Sequence, residues 1–167
     1  MDTPAPLVVD EQPSETYLVG IRAEDFRCES VLSSAQSTEI FGGRVNLVAS
    51  PFTPPAGVPK SCNYVSHDAD REPMQWSFDL DCREGALSDA SKLLVSYAGN
   101  PDARPLRIGQ SALDHHNSAL IFIDNDTPCY GRVLGPASEG RSQVAMILVD
   151  ALNPRSAPTG SHLFVRD

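Results

Sequence analysis

Basic side chains are in short supply in this sequence. Lysine and arginine together number 13 against 22 acidic residues, which leaves a formal charge of −9. Gripping nucleic acid needs a cationic field that displaces counterions from phosphates, so no nucleic-acid partner is expected. Docking on an anionic membrane is disfavoured for the same reason. Long apolar runs are missing as well: the longest, Val144 to Val149, has six residues. Crossing a bilayer takes roughly 20, so no membrane span is expected. Gly-rich phosphate loops are absent, because Gly42-Gly43 is not followed by the Lys-Ser/Thr of a P-loop. There is no GxSxG elbow, and Ser161-His162 are merely neighbours in sequence. The sequence assigns no catalytic residues, and it reads as a binding or structural chain rather than an enzyme.

CxxC pairs are also lacking, which removes zinc ribbons and thioredoxin-type redox motifs. What is present is an even set of scattered cysteines: Cys28, Cys62, Cys82 and Cys129. Together with proline-rich loops they point to two disulfides and an oxidising compartment, periplasmic or extracellular. Four buried thiols in a cytosolic protein is the alternative. The first residues carry neither a basic segment nor an apolar stretch, so an export signal is expected outside the given chain. Of the three connectivities, the nested one is expected, with Cys62 joined to Cys82 and Cys28 to Cys129.

At 41% hydrophobic residues the chain of 167 can bury a real core. Residues 1–14 hold three prolines and read as an extended arm, leaving 15–167 as one β-rich domain. Thr16 to Arg22 is rich in strand formers. Over Ala23 to Gln36, the residues Cys28, Val31, Leu32 and Ala35 share one helical face. Gly42-Gly43 is a turn or bulge ahead of alternating Val45, Leu47 and Ala49. Pro51 to Pro59 is a stiff loop. Trp76, Phe78 and Leu80 alternate with polar residues, the mark of a half-buried strand. Glu84 to Leu94 fits a short helix, and Lys92 to Tyr97 equally fits a strand. Strands are expected at Leu106 to Ile108, Ala119 to Ile123, Gly131 to Leu134, Gln143 to Asp150 and His162 to Val165. The sum is a mainly β fold, a sandwich or open barrel of about eight strands with one or two short helices.

Two acidic segments carry the remaining chemistry. Phe78-Asp79-Leu80-Asp81 and Ile123-Asp124-Asn125-Asp126 each resemble the opening of the haloacid-dehalogenase motif, which would make the first aspartate a nucleophile. Both depart from it at once, at Cys82-Arg83 and Thr127-Pro128, and the surrounding αβ alternation is missing, so the match is set aside. Asp124 and Asp126 instead offer spaced oxygens of the kind calcium takes, without the glycine and glutamate of an EF-hand. Asp114-His115-His116, joined by His67 from another loop, holds the ligand types of a transition-metal site. The leading expectation is a secreted or periplasmic, disulfide-stabilised β-rich module with a protein partner and no cofactor. The alternative is a metal-binding protein or metal-dependent hydrolase using these histidines and aspartates, with a calcium or transition-metal ion.

Overall fold

The computed structural model describes residues 26–55, 57–83, 85–115, 119–124 and 129–152. Seven strands form it: β1 (Arg44–Val48), β2 (Cys62–His67), β3 (Met74–Asp81), β4 (Ala103–Leu106), β5 (Ser111–His115), β6 (Ala119–Ile123) and β7 (Tyr130–Leu134). All pair antiparallel in a single sheet of order β1-β2-β3-β7-β6-β5-β4. Among the described residues three helices accompany them: α1 (Ser34–Phe41), α2 (Ala86–Ala98) and α3 (Ser138–Ala151). The fold is mainly β, as the alternating patterns imply. Among the described residues the strands make one open sheet that does not close into a barrel, and helices rather than a second sheet cover its apolar faces.

One face is covered along most of its width. Helices α1 and α3 pack there on Tyr64, Trp76, Phe78, Leu80, Leu120, Phe122 and Val133. Helix α2 covers only part of the opposite face, where Ala90 and Leu94 meet Leu113, Ile121, Ile123 and Tyr130. Strand β6 is therefore buried at every position. Strand β2 alternates strictly between buried and half-buried residues, and β3 does so over most of its length. Its partly covered side, with Asn63, Val65 and His67 of β2 and Gln75, Ser77 and Asp79 of β3, is an open face with no described helix over it.

Local chemistry accounts for the departures from the expected elements. The helix expected at Ala23 to Gln36 starts later, at Ser34, and runs on to Phe41. Its start is fixed by a capping box: Gln36 N donates to Ser33 Oγ at 3.2 Å, and Ser33 N donates to Gln36 Oε1 at 3.0 Å. Ahead of it, Cys28–Ser30 forms a single 3-10 turn. The turn after α1 needs glycine at position 43, where φ is +68° and a Cβ would lie 2.2 Å from the His67 carbonyl oxygen. Gln143 to Asp150 is helical, not extended, since it belongs to α3. Its buried residues Val144, Ala145, Leu148 and Ala151 keep helical spacing, but apolar residues between them hide the period. Between the helix expected within Glu84 to Leu94 and the strand expected at Lys92 to Tyr97, the helix is found, as α2 from Ala86 to Ala98. The strand expected at Leu106 to Ile108 ends at Leu106. Strands β2 and β5 were not among the expected ones. The expectations at residues 1–14, Thr16 to Arg22 and His162 to Val165 lie outside the described residues.

The four cysteines do form two disulfides, with a different pairing: Cys28–Cys62 and Cys82–Cys129. Strand order is the reason. β3 neighbours β7 with Asp81 opposite Tyr130, so Cys82 and Cys129 occupy the next rung of that ladder. Nesting fails because it takes no account of which strands are adjacent.

Candidate functional site

The open face of β1, β2, β3 and β7 is overlooked by the loop between β1 and β2. Four prolines between residues 51 and 59 stiffen this loop. Side chains draw its two ends together: Ser61 Oγ donates to Ser50 Oγ at 3.3 Å, and Asn63 Nδ2 donates to Ser61 Oγ at 3.1 Å. Phe52 N donates back to Ser50 Oγ at 3.3 Å. The disulfide at Cys62 anchors the returning strand. This bracing holds Phe52 outward with 78% of its surface exposed. Phe52 is one of five large hydrophobic residues left exposed among those described, and it stands on a segment ordered by prolines and hydroxyl bonds.

Phe52 borders two depressions. One, of about 780 Å³, is mainly apolar, with Val48, Pro51, Val65, Leu134 and Pro136 around Asn63 and Gln75. The other, of about 430 Å³, has a proline wall and a charged floor. On that floor Asp79 sits directly opposite Arg132 across the β3–β7 ladder, and Arg132 Nη2 lies 3.2 Å from Asp79 Oδ2. Asp81 is clasped by Arg83, with Nε to Oδ1 at 3.0 Å, Nη2 to Oδ2 at 2.7 Å and the backbone N–H to Oδ1 at 3.1 Å. Burial raises the Asp79 carboxyl above its ordinary range, against the pull of Arg132. Burial, and then the charges of Asp81 and Asp79, likewise raise the Tyr130 phenol. The floor is thus a set of mutually paired charges beside an apolar half. That arrangement suits recognition of a surface with mixed side chains. It holds no nucleophile paired with a base.

No family model matches the chain, and neither a curated protein nor a solved structure matches it.

The expected metal ligands do not converge. His67 ends β2, while His115 ends β5, and β3, β7 and β6 lie between those strands. Four strand spacings separate them by roughly 19 Å. Asp114 is engaged elsewhere. It is 2% exposed and holds the fully buried Arg141 of α3, with Nε to Oδ1 at 2.8 Å and Nη2 to Oδ2 at 3.1 Å. Arg141 also donates to the Gly135 carbonyl and to Ser138 Oγ. His115 points to the other side of β5, where its Nε2 lies 2.8 Å from Asn100 Nδ2 and its ring 6.0 Å from that of Tyr97. Asp124 is buried just beyond β6, its backbone N–H bonded to the Cys129 carbonyl. His116 and Asp126 lie outside the described residues. Among the described residues no group of three or more His, Cys, Asp or Glu is placed to hold a metal.

Sequence reasoning missed Phe52, Arg83, Tyr130 and Arg132. Phe52 had a readable signal, an aromatic residue inside a proline loop. Arg132 had none, because it meets Asp79 only through a strand pairing that spans 53 residues.

Proposed function

We propose that this chain is a periplasmic or extracellular binding module that holds a protein partner on the open face of its sheet. The observation that carries the reading is the braced, outward Phe52, standing between an apolar depression and a charged one. A pre-ordered loop loses little conformational entropy when it is covered, so contact area there converts efficiently into affinity. Aromatic anchors flanked by polar groups are the common pattern of such contacts. The compartment follows from the two disulfides, which persist where thiols are not kept reduced.

The test is a parallel affinity isolation from the native source with three baits: the unaltered chain, Phe52→Ala and Val95→Ala. Val95 is 76% exposed on α2 and serves as a control for an unrelated apolar side chain. A protein retained by the first and third baits and lost from the second supports the reading. Retention by all three alike, or no protein retained by any, overturns it.

A further inference from the structure

The two edges of the sheet are treated differently. Strand β4 has four residues, Ala103 to Leu106, and includes Arg104 and Pro105. Proline lacks the N–H that a further strand would need, so this edge is blunted. Strand β1 at the opposite edge is Arg-Val-Asn-Leu-Val, with every backbone N–H present and no charge beyond its first residue. Leu47 is 45% exposed on one of its sides and Val48 40% exposed on the other. Five large hydrophobic residues are exposed among those described, and three of them lie between positions 47 and 52: Leu47 and Val48 on β1, and Phe52 in the loop that follows.

Charge points to the same edge. From Ile40 to His67 the sequence has no aspartate or glutamate and carries Arg44 and Lys60, although the whole chain is at −9. Two copies of so acidic a protein repel each other along most approaches. The β1 edge is where a second copy meets no carboxylate from this stretch.

We infer that β1 pairs antiparallel with β1 of a second copy, about a two-fold axis through Asn46. The strand pattern is self-complementary under that operation. Val45 falls opposite Leu47 of the second copy on the helix-covered side. Arg44 falls opposite Val48 of the second copy on the open side, and Asn46 faces its own equivalent. An isologous contact of this kind closes at two copies and does not propagate. Five residues form a small junction next to the roughly 800 Å² per partner of stable complexes, so the dimer dissociates on dilution. The inference uses the edge of β1 that no described strand pairs with. Val48 also borders the apolar depression of the partner face, but sedimentation of the isolated chain reads the contact between copies alone, so the two are tested separately.

Sedimentation velocity on the intact, oxidised chain over a roughly hundredfold concentration range tests it. The unaltered protein should shift from monomer to dimer. Val48→Glu places a carboxylate opposite Arg44 of the second copy twice per dimer, whereas Val48→Lys places a like charge there. The glutamate variant should dimerise at least about fivefold more tightly than the lysine variant, as expected for two cross-strand ion pairs. Val48 is exposed enough that both variants should melt with the unaltered protein, and that melt is the folding control. Val95→Lys should leave the association unchanged. A monomer at every concentration overturns the inference. So does equal weakening by glutamate and lysine, which would show a generic apolar contact, or loss of the dimer in Val95→Lys.

Discussion

Strand β6 is buried at all five of its positions, while β2 offers every second residue to solvent. The two lie in one sheet, with only β3 and β7 between them. What separates them is helix α2, which covers the second face over β5 and β6, while no described helix covers that face over β1 to β3. The half closed on both faces has little surface left to present and contributes mainly to stability. The half closed on one face keeps an alternating surface, and the proline loop with Phe52 is set over it. Substitutions of buried side chains in the first half and of open-face side chains in the second should therefore separate, with large losses of stability in the first and small ones in the second.

The largest effect is expected at Arg141, at the heart of the closed half. Arg141→Ala takes the bidentate guanidinium from the buried Asp114 carboxylate and leaves only the largely exposed Arg104, 3.9 Å away. That change costs about 3 kcal/mol, the low end for a broken buried pair. Arg141→Met combined with Asp114→Leu removes both charges and should recover most of that loss, because an apolar pair of similar volume carries no desolvation penalty. Chemical denaturation of the three variants measures it. If the double variant is no better than the single one, the pair contributes through geometry that apolar residues cannot supply.

Second come the disulfides, which staple different places. Cys28–Cys62 ties the segment before α1 to β2 in the open half, and Cys82–Cys129 ties β3 to β7. Their sequence separations of 34 and 47 residues are close enough that chain entropy gives each about 4 kcal/mol. Paired Cys→Ser variants should thus destabilise almost equally, with peptide mapping of the oxidised protein to confirm the connectivity. A much larger loss at one bridge would show that its half depends on the staple for more than loop closure.

A smaller effect is expected where the halves meet on their shared helix-covered face. The six-membered ring of Trp76 enters a slot left by two glycines. A Cβ would lie 2.1 Å from it at Gly135 and 2.6 Å from it at Gly140. Phe41 stacks on the other side of the indole with ring centroids 4.5 Å apart. Gly135→Ala should cost about 1–3 kcal/mol by overpacking. Pairing it with Trp76→Phe, which shortens the ring, should return part of the loss. If the double variant is as unstable as Gly135→Ala alone, the glycine serves the backbone turn and not the indole.

The same contrast explains what could be read from the sequence. Trp76, Phe78 and Leu80 announced β3 because one side of that strand is open, and alternation survives only where a face stays wet. Ala119 to Ile123 read as a strand from its β-forming run without showing which face it buries. In α3 the apolar Met146, Ile147 and Val149 filled the positions between the buried ones, so helix looked like strand. The Asp114-His115-His116 cluster suggested ligands because sequence shows which residues are adjacent and not which sides they take. Asp114 and His115 turn to opposite faces, and the partner that satisfies Asp114 lies 27 residues away. The cysteine pairing failed for a related reason. It depended on β3 lying beside β7, a long-range adjacency that no local pattern encodes.

The smallest effect, and the one that probes the open half most directly, is the pH dependence carried by Asp79. Its carboxyl is held above the ordinary value of 3.8, first by burial and only partly offset by Arg132. A carboxyl whose folded pKa exceeds its unfolded one binds its proton more tightly in the native state. Its contribution to stability is therefore fully present below 3.8 and is lost as the pH rises through the folded value. Asp79→Asn fixes the side chain in a neutral form. The stability of the unaltered protein minus that of the variant should fall as the pH rises through this acid window, by less than about 1 kcal/mol because the pair with Arg132 is partly exposed. Urea melts at several acid pH values read the difference directly. Should it rise with pH, the pull of Arg132 outweighs burial, and the charged depression is wetter than its proline wall implies. In that case Arg132→Ala should remove the pH dependence, and the floor would act as an exposed ion pair in place of a shielded recognition surface.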